Sequence, residues 1–188
     1  MMAAMEAPGI TRHRRPFLAP LWLTLLALVV AAGIAWNVYR DATTSVVVLT
    51  SSGEKEPGTI DDPPVSAEGE HRAQRLAQLF GSAAGVGRID ALYVSGERRA
   101  QQTVAPLAEL LHVAPTVYDA RDATNVAAGL LRGHEGTATL VIGGNAAVQQ
   151  FLRQLGGSAA ASGTVEPDLL YIVSVPTFGR PKVLRLKY

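Results

Sequence analysis

A short apolar run, Ser45-Val46-Val47-Val48-Leu49, is followed at once by hydroxyls and a carboxylate, Thr50-Ser51-Ser52-Gly53-Glu54. A serine hydroxyl becomes a nucleophile only with a base beside it, and Glu54, two residues beyond Ser52, is the nearby candidate. Further along, Arg98-Arg99 opens one helical pattern and Gly143-Gly144-Asn145 opens another. Glycines leave backbone N–H groups uncovered, a helix start attracts negative charge, and an arginine aimed into the same crevice adds donors, so these residues could hold an anion. The plainer alternative is that Arg99 pairs with a carboxylate such as Glu54 or Glu97 and that the glycines merely turn the chain. The four histidines are scattered: His13 lies before a long apolar segment, His71 on a helix, His112 at the end of the next, and His134 before a later strand. Each reads as a solvated surface residue. With no cysteine anywhere, neither a disulfide nor a thiolate metal site can form. No metal and no cofactor are expected.

The elements that would position these residues alternate. Ser45–Leu49 lacks polar alternation and reads as a strand buried on both faces. A polar, Pro/Gly-rich loop follows from Thr50 to Val65. Ser66 is a candidate N-cap for a helix carrying Ala73, Leu76, Ala77 and Phe80 on one face and ending near Gly81. Ile89–Val94 reads as a second strand and Arg99–Leu111 as a helix in which Pro106 should cause a kink or a restart. Thr116–Tyr118 is a weaker strand, Asn125–Arg132 a short helix stopped by Gly133, and Thr137–Ile142 a further buried strand. A helix capped by Asn145 then buries Val148, Phe151, Leu152 and Leu155. Leu169–Val175 and Lys182–Tyr188 suit an antiparallel hairpin. The pattern predicts an α/β domain of three layers, a mostly parallel sheet with helices on both faces and a C-terminal antiparallel hairpin. Its ligand crevice should lie beyond the carboxyl ends of the strands.

Ahead of this domain, Phe17–Trp36 is an uncharged run of 20 residues. That is long enough to cross a hydrocarbon core of roughly 30 Å as a helix. Trp22, Trp36 and Tyr39 lie near its ends, where amphipathic rings prefer the headgroup layer, and Arg12, Arg14 and Arg15 precede it. The expected organisation is a cytoplasmic basic N-terminus at 1–16, a transmembrane helix acting as signal anchor at 17–36, and one domain at 45–188. Two rival readings stay open: cleavage at Gly33-Ile34-Ala35 as a signal peptide, and export through a twin-arginine signal at Arg14-Arg15. All three place the domain outside the cytoplasm. Of the 17 basic and 16 acidic residues, four arginines and Glu6 fall within the first 40 positions, leaving 13 basic against 15 acidic beyond them. Nucleic acid, which needs a concentrated basic face, is therefore not an expected partner.

Several of these stretches resemble the histidine phosphatase superfamily, the phosphoglycerate-mutase-like fold. Val46-Val47-Val48-Leu49-Thr50-Ser51-Ser52-Gly53-Glu54-Lys55 is similar to its first strand and the Arg-His-Gly/Ala loop with its glutamate. Asp62-Pro63-Pro64-Val65-Ser66 with Gly69 and Ala73 is similar to its Asp-x-Pro-Leu-Ser/Thr-x-x-Gly-x-x-x-Ala segment. Ser95-Gly96-Glu97-Arg98-Arg99-Ala100-Gln101-Gln102-Thr103 resembles its Ser-x-x-x-Arg-Ala-x-x-Thr segment. Leu140-Val141-Ile142-Gly143-Gly144-Asn145 resembles its strand ending in Gly-His-x. The resemblance implies a first histidine that attacks phosphorus, with two arginines and a second histidine holding the phosphoryl oxygens. Here the first arginine position is Ser51, the nucleophile position Ser52 and the second histidine position Gly144; Arg99 alone matches.

The resemblance therefore implies a degenerate, catalytically silent member with no catalytic residues and a candidate anion-binding set of Arg99, Ser51, Ser52, Gly144 and Asn145. The expected partners are the membrane, through a single span, and either an anionic or phosphorylated ligand or a membrane-protein partner. The alternative is an active extracytoplasmic phosphatase on a phosphorylated envelope substrate. Positive residues flank the cytoplasmic side of a span, so protease added to intact spheroplasts is expected to digest the domain. Protection until lysis would overturn that orientation.

Overall fold

The computed structural model describes residues 21–42, 44–58, 61–81, 88–133, 136–156, 164–177 and 179–188. The chain divides into two units, residues 1–37 and 38–188. Helix α1 runs from Leu21 to Ala42, with side chains from Trp22 to Tyr39 exposed. By length and composition that stretch could cross a membrane. The helix continues past Trp36, where the apolar run stops, to include Arg40 and Asp41. Arg12, Arg14 and Arg15 lie outside the described residues, as do His13 and His134.

The second unit is a six-stranded sheet in the order β3-β2-β4-β1-β5-β6. Its strands are β1 (Ser45–Ser51), β2 (Ala91–Ser95), β3 (Thr116–Tyr118), β4 (Ala138–Gly143), β5 (Leu169–Val175) and β6 (Lys182–Lys187). The first four pair in parallel, and β5 and β6 complete the sheet as an antiparallel hairpin against β1. Central placement explains the unbroken valine run of β1: Val48 faces Leu140 on one side and Ile172 on the other. Strand alternation then sends Val47 and Leu49 to one face and Val48 to the opposite face. Helices α4 (Ala123–Gly133) and α5 (Asn145–Gly156) cover the first face with Ala127, Leu130, Val148, Phe151 and Leu155. Helices α2 (Ala67–Gly81) and α3 (Arg98–Leu111) cover the second with Leu76, Phe80, Val104 and Leu107. The three-layer α/β architecture expected from the sequence is present.

Three local expectations need correction. Of the kink or restart expected at Pro106 the restart is absent: α3 runs from Arg98 to Leu111 through it, with Val104 and Leu107 buried on either side. Strand β2 begins at Ala91 and not at Ile89. The Asp90 N–H donates to the Ala138 carbonyl at 2.8 Å and the Asp90 carboxylate accepts from the Ala138 N–H at 3.0 Å, so a side chain replaces the backbone ladder there. Asn145 is the first residue of α5 rather than its cap. The Gly144 carbonyl accepts the first helical bond, from the Val148 N–H at 3.0 Å, and a long-range partner claims the Asn145 side chain. Ser66 does cap α2, accepting from the Gly69 N–H at 3.2 Å.

Gly69 lets α2 lie directly on the loop after β1. A Cβ there would stand 2.9 Å from the Glu54 carbonyl oxygen and 3.0 Å from its nitrogen, and backbone cannot swing aside. Gly69→Ala is expected to destabilise by about 1–3 kcal/mol through overpacking. Gly129→Ala, within α4 and with no neighbour inside 4 Å, should instead stabilise, by about 0.5–1 kcal/mol from helix propensity alone. Denaturant midpoints of the two variants check both signs, and a neutral Gly69→Ala would refute the tight approach.

Candidate functional site

The parallel strands β1 and β4 end side by side, and their carboxyl ends form the floor of a cleft of about 440 Å³. The Ser52 N–H donates to the Gly143 carbonyl at 2.9 Å, locking the two strand ends together. One residue on, the Gly53 N–H donates to the Thr103 hydroxyl at 2.9 Å, and that hydroxyl donates to the Arg99 carbonyl at 2.7 Å. The first turn of α3 is thereby brought against the loop, and Arg99 Nη1 donates to the Gly53 carbonyl at 3.4 Å. The Asp62 carboxylate accepts from the Arg98 N–H at 3.1 Å at the start of the same helix. Ser52, Arg99, Gly144 and Asn145 all line the cleft, joined by Glu54 and Lys55. Ser51 does not line it: only 2% exposed, it donates its hydroxyl to Asn145 Oδ1 at 2.7 Å and so fixes the Asn145 amide from behind.

Beneath the cleft lies a charged residue absent from the sequence-derived set. Arg72 on α2 is 2% exposed, and each of its guanidinium nitrogens has a partner. Nη1 donates to Glu54 Oε1 at 2.7 Å, Nη2 to the Ser51 carbonyl at 2.9 Å, and Nε to the Tyr188 hydroxyl at 3.0 Å. The Tyr188 hydroxyl also bonds the Thr50 hydroxyl at 3.1 Å, and the Arg72 guanidinium stands 5.4 Å from the centre of the Tyr188 ring. Burial works against this charge, but Tyr188 and Glu54 outweigh it and raise the arginine pKa above its ordinary value. The sequence carries a signal for it: residues 72, 76 and 80 recur every four positions, so Arg72 falls on the buried stripe with Leu76 and Phe80.

A second residue outside the candidate set is Glu97, which joins β2 to α3 and which the sequence offered as an ion-pair partner for Arg99. Its Oε2 lies 3.6 Å from Arg99 Nη2, a loose ion pair. Its Oε1 would be only 3.2 Å from a Cβ placed on Gly144. The carboxylate thus occupies the space beside the strand end into which a side chain at position 144 would project. Burial first, and then the negative charge of Glu97, push the Tyr118 phenol well above its ordinary pKa; that phenol donates to the Ile142 carbonyl at 3.3 Å. Three atoms around the cleft are shielded from solvent and have no hydrogen-bond partner among the described residues: Glu54 Oε2, Glu97 Oε2 and Arg99 Nε. The described histidines are elsewhere, His71 exposed on α2 and His112 exposed at the end of α3. Among the described residues no cluster of three or more His, Cys, Asp or Glu could hold a metal ion.

The model of the histidine phosphatase superfamily, branch 1, matches residues 49–122, from β1 through α3 to the turn after β3. The structure is similar to that of the protein histidine phosphatase SixA complexed with tungstate, at 16% identity and a TM-score of 0.63, covering 76% of this chain and 96% of that one. It is also similar to mycobacterial glucosyl-3-phosphoglycerate phosphatase, at 12% identity, a TM-score of 0.60, and 74% and 97% coverage. A third likeness is to phosphoserine phosphatase of Entamoeba histolytica solved with 3-phosphoglyceric acid, at 12% identity, a TM-score of 0.56, and 77% and 97% coverage. At these identities the structural likeness shows the fold. No curated protein matches the chain by sequence.

Removing Arg72 leaves Glu54 without its cation and the Ser51 carbonyl without its donor. Because the Glu54 side chain is 31% exposed, Arg72→Ala is expected to cost toward the lower end for a broken buried pair, about 2–3 kcal/mol. Arg72→Met combined with Glu54→Gln should recover most of the loss, since no charge is then stranded. Denaturant unfolding measures both, and a loss below about 1 kcal/mol for Arg72→Ala would show that the network does not hold the strand end.

Proposed function

We propose that this relative of the histidine phosphatase superfamily is a membrane-tethered domain without phosphotransfer activity, which works by holding an anionic ligand against Arg99 at the carboxyl ends of β1 and β4. The observation that carries the reading is the replacement of imidazole by carboxylate. Ser51 ends β1 and Ser52 follows it, Gly144 follows the last residue of β4, and Glu97 fills the space beside Gly144. Phosphoryl transfer through a covalent intermediate needs a nucleophile in line with phosphorus and several positive groups around the equatorial oxygens. Ser52 has a hydroxyl, but the nearest carboxylate in sequence, Glu54, commits Oε1 to Arg72. Arg72 points each of its guanidinium nitrogens at Glu54, the Ser51 carbonyl or Tyr188, and at 2% exposure it lies below the cleft and not in its lining.

Arg99 is different. Its Nε is unpartnered among the described residues, its link to Gly53 is long at 3.4 Å, and its ion pair with Glu97 is loose. It lines the cleft beside Lys55 and the first residue of α5, where the helix dipole favours negative charge. Ser52, Gly144 and Asn145 complete the anion-binding surface in this reading, with Ser51 fixing the Asn145 amide. The apolar stretch of α1 supports the tether, with the domain outside the cytoplasm.

Hydrolysis of phosphomonoesters is expected to stay at background, with no acid-labile phosphate trapped on the protein. Tungstate binding, measured by calorimetry at low salt, should weaken about tenfold or more in Arg99→Ala, which removes a charged donor. Turnover by the wild-type chain clearly above that of Arg99→Ala would overturn the silent reading in favour of an active phosphatase. Tungstate affinity unaffected by Arg99→Ala would remove the assigned site.

A further inference from the structure

The cleft does not offer an oxyanion the ring of cations that such a ligand takes up. Instead Arg99 and Lys55 share the lining with the carboxylate of Glu54, Glu97 stands 3.6 Å from Arg99, and each carboxylate keeps one oxygen without a donor among the described residues. Arg99 correspondingly keeps Nε without an acceptor. Shielded polar atoms of this kind are costly unless a partner arrives, and charged ones most of all. A plain oxyanion satisfies Arg99 but pushes against both carboxylates, and it must displace Glu97 from Arg99 while offering Glu97 nothing in return.

Resting on the anion-site reading above, we infer that Glu97 sets the specificity of the cleft, and that the ligand it selects is zwitterionic, an anionic group for Arg99 with an ammonium on a neighbouring carbon for Glu97 and Glu54. An ammonium carries three N–H donors and a charge that offsets that of a carboxylate it meets. Glu97 is placed for this role because it touches both ends of the problem. One oxygen stands 3.6 Å from Arg99 Nη2, and the other stands against Gly144, where the absence of a side chain leaves the carboxylate room. Glu54 cannot be displaced in the same way, because Arg72 holds its Oε1 from below at 2.7 Å. Glu97 is therefore the movable carboxylate and Glu54 the fixed one. The selectivity differs from that of a cation-lined phosphate pocket, which gains nothing from a positive group on the ligand.

The test compares O-phosphoethanolamine with ethyl phosphate, two probes of similar size that differ chiefly in the ammonium, by calorimetry on the full chain in detergent. The wild type should bind O-phosphoethanolamine about tenfold more tightly than ethyl phosphate, the scale of one charged hydrogen bond made or missed. Glu97→Gln, which keeps the shape and removes the charge, should bring the ratio close to one, chiefly by strengthening ethyl phosphate. Equal affinities in the wild type, or a ratio unchanged by Glu97→Gln, would overturn the assignment to Glu97 while leaving the anion site standing if Arg99→Ala still weakens binding of both probes about tenfold or more. Failure of both probes to bind the wild type and Glu97→Gln alike would remove the anion site, and this inference with it. Glu97→Asp, which retains the charge on a shorter stem, should keep part of the preference, and equal affinities in that folded variant would also count against the proposal.

Discussion

The arrangement at the end of β1 depends on one buried cation. Arg72 rises from α2 and reaches three separate parts of the chain: Glu54 in the loop, the Ser51 carbonyl at the strand end, and the hydroxyl of Tyr188 after the last strand. An isolated guanidinium at that depth would be prohibitively costly, so its presence obliges each of these acceptors to stay in place. The loop cannot swing without stranding Glu54, and the end of the chain beyond β6 cannot peel away without taking the Tyr188 hydroxyl from both Arg72 and Thr50. A hydrophobic replacement could be as stable. What the ion pair adds is a geometric demand, and it falls on the backbone that forms the cleft floor.

Charge in the cleft follows from the same economy of partners. Arg72 neutralises Glu54 from below, and Arg99 and Glu97 neutralise each other from the side, though at 3.6 Å and partly in solvent. The first pair is fixed by two further hydrogen bonds on the guanidinium, whereas the Arg99 guanidinium of the second has, among the described residues, the long contact to Gly53. The cleft therefore presents one rigidly held pair and one loosely held pair. Exposed pairs of the second kind contribute little to stability, which is why one can be opened by binding without loosening the fold.

Elements whose reasons are local were legible in the sequence. The valine run of β1, the Ser66 cap, the apolar stripe of α5 and the β5–β6 hairpin each depend on neighbours within a few positions. What escaped was set by residues far apart in sequence. Asn145 looks like a helix cap until Ser51, 94 positions away, claims its side chain, after which Gly144 takes the cap position. Asp90 ends the ladder of β2 by bonding Ala138, 48 positions on. Glu97 reads as a partner for its neighbour Arg99, which it is, but its relation to Gly144 appears only once β2 and β4 are laid side by side. Arg72 was the exception, visible as an arginine on an apolar stripe, but the sequence did not say which acceptors would meet it.

The division between what this chain shares with the histidine phosphatase pattern and what it lacks has a structural reading. Thr103, at the end of the Ser-x-x-x-Arg-Ala-x-x-Thr segment, ties Gly53 to the first turn of α3. Asp62 accepts from the Arg98 N–H at the start of α3, Ser66 caps α2, and Gly69 lets α2 approach the Glu54 backbone. Each of these matching residues works on the scaffold, holding the loop after β1 against two helices whether or not any phosphate arrives. The positions that depart from the pattern, Ser51, Ser52 and Gly144, lie at the strand ends where a phosphoryl group would meet the protein. Ser51 now spends its hydroxyl on Asn145, and the room beside Gly144 holds Glu97. A resemblance carried by scaffold residues is therefore evidence of how the cleft is built. What the cleft accepts is decided by the groups facing into it, which in this chain include Arg99, Lys55 and Glu54, with Glu97 held loosely against Arg99.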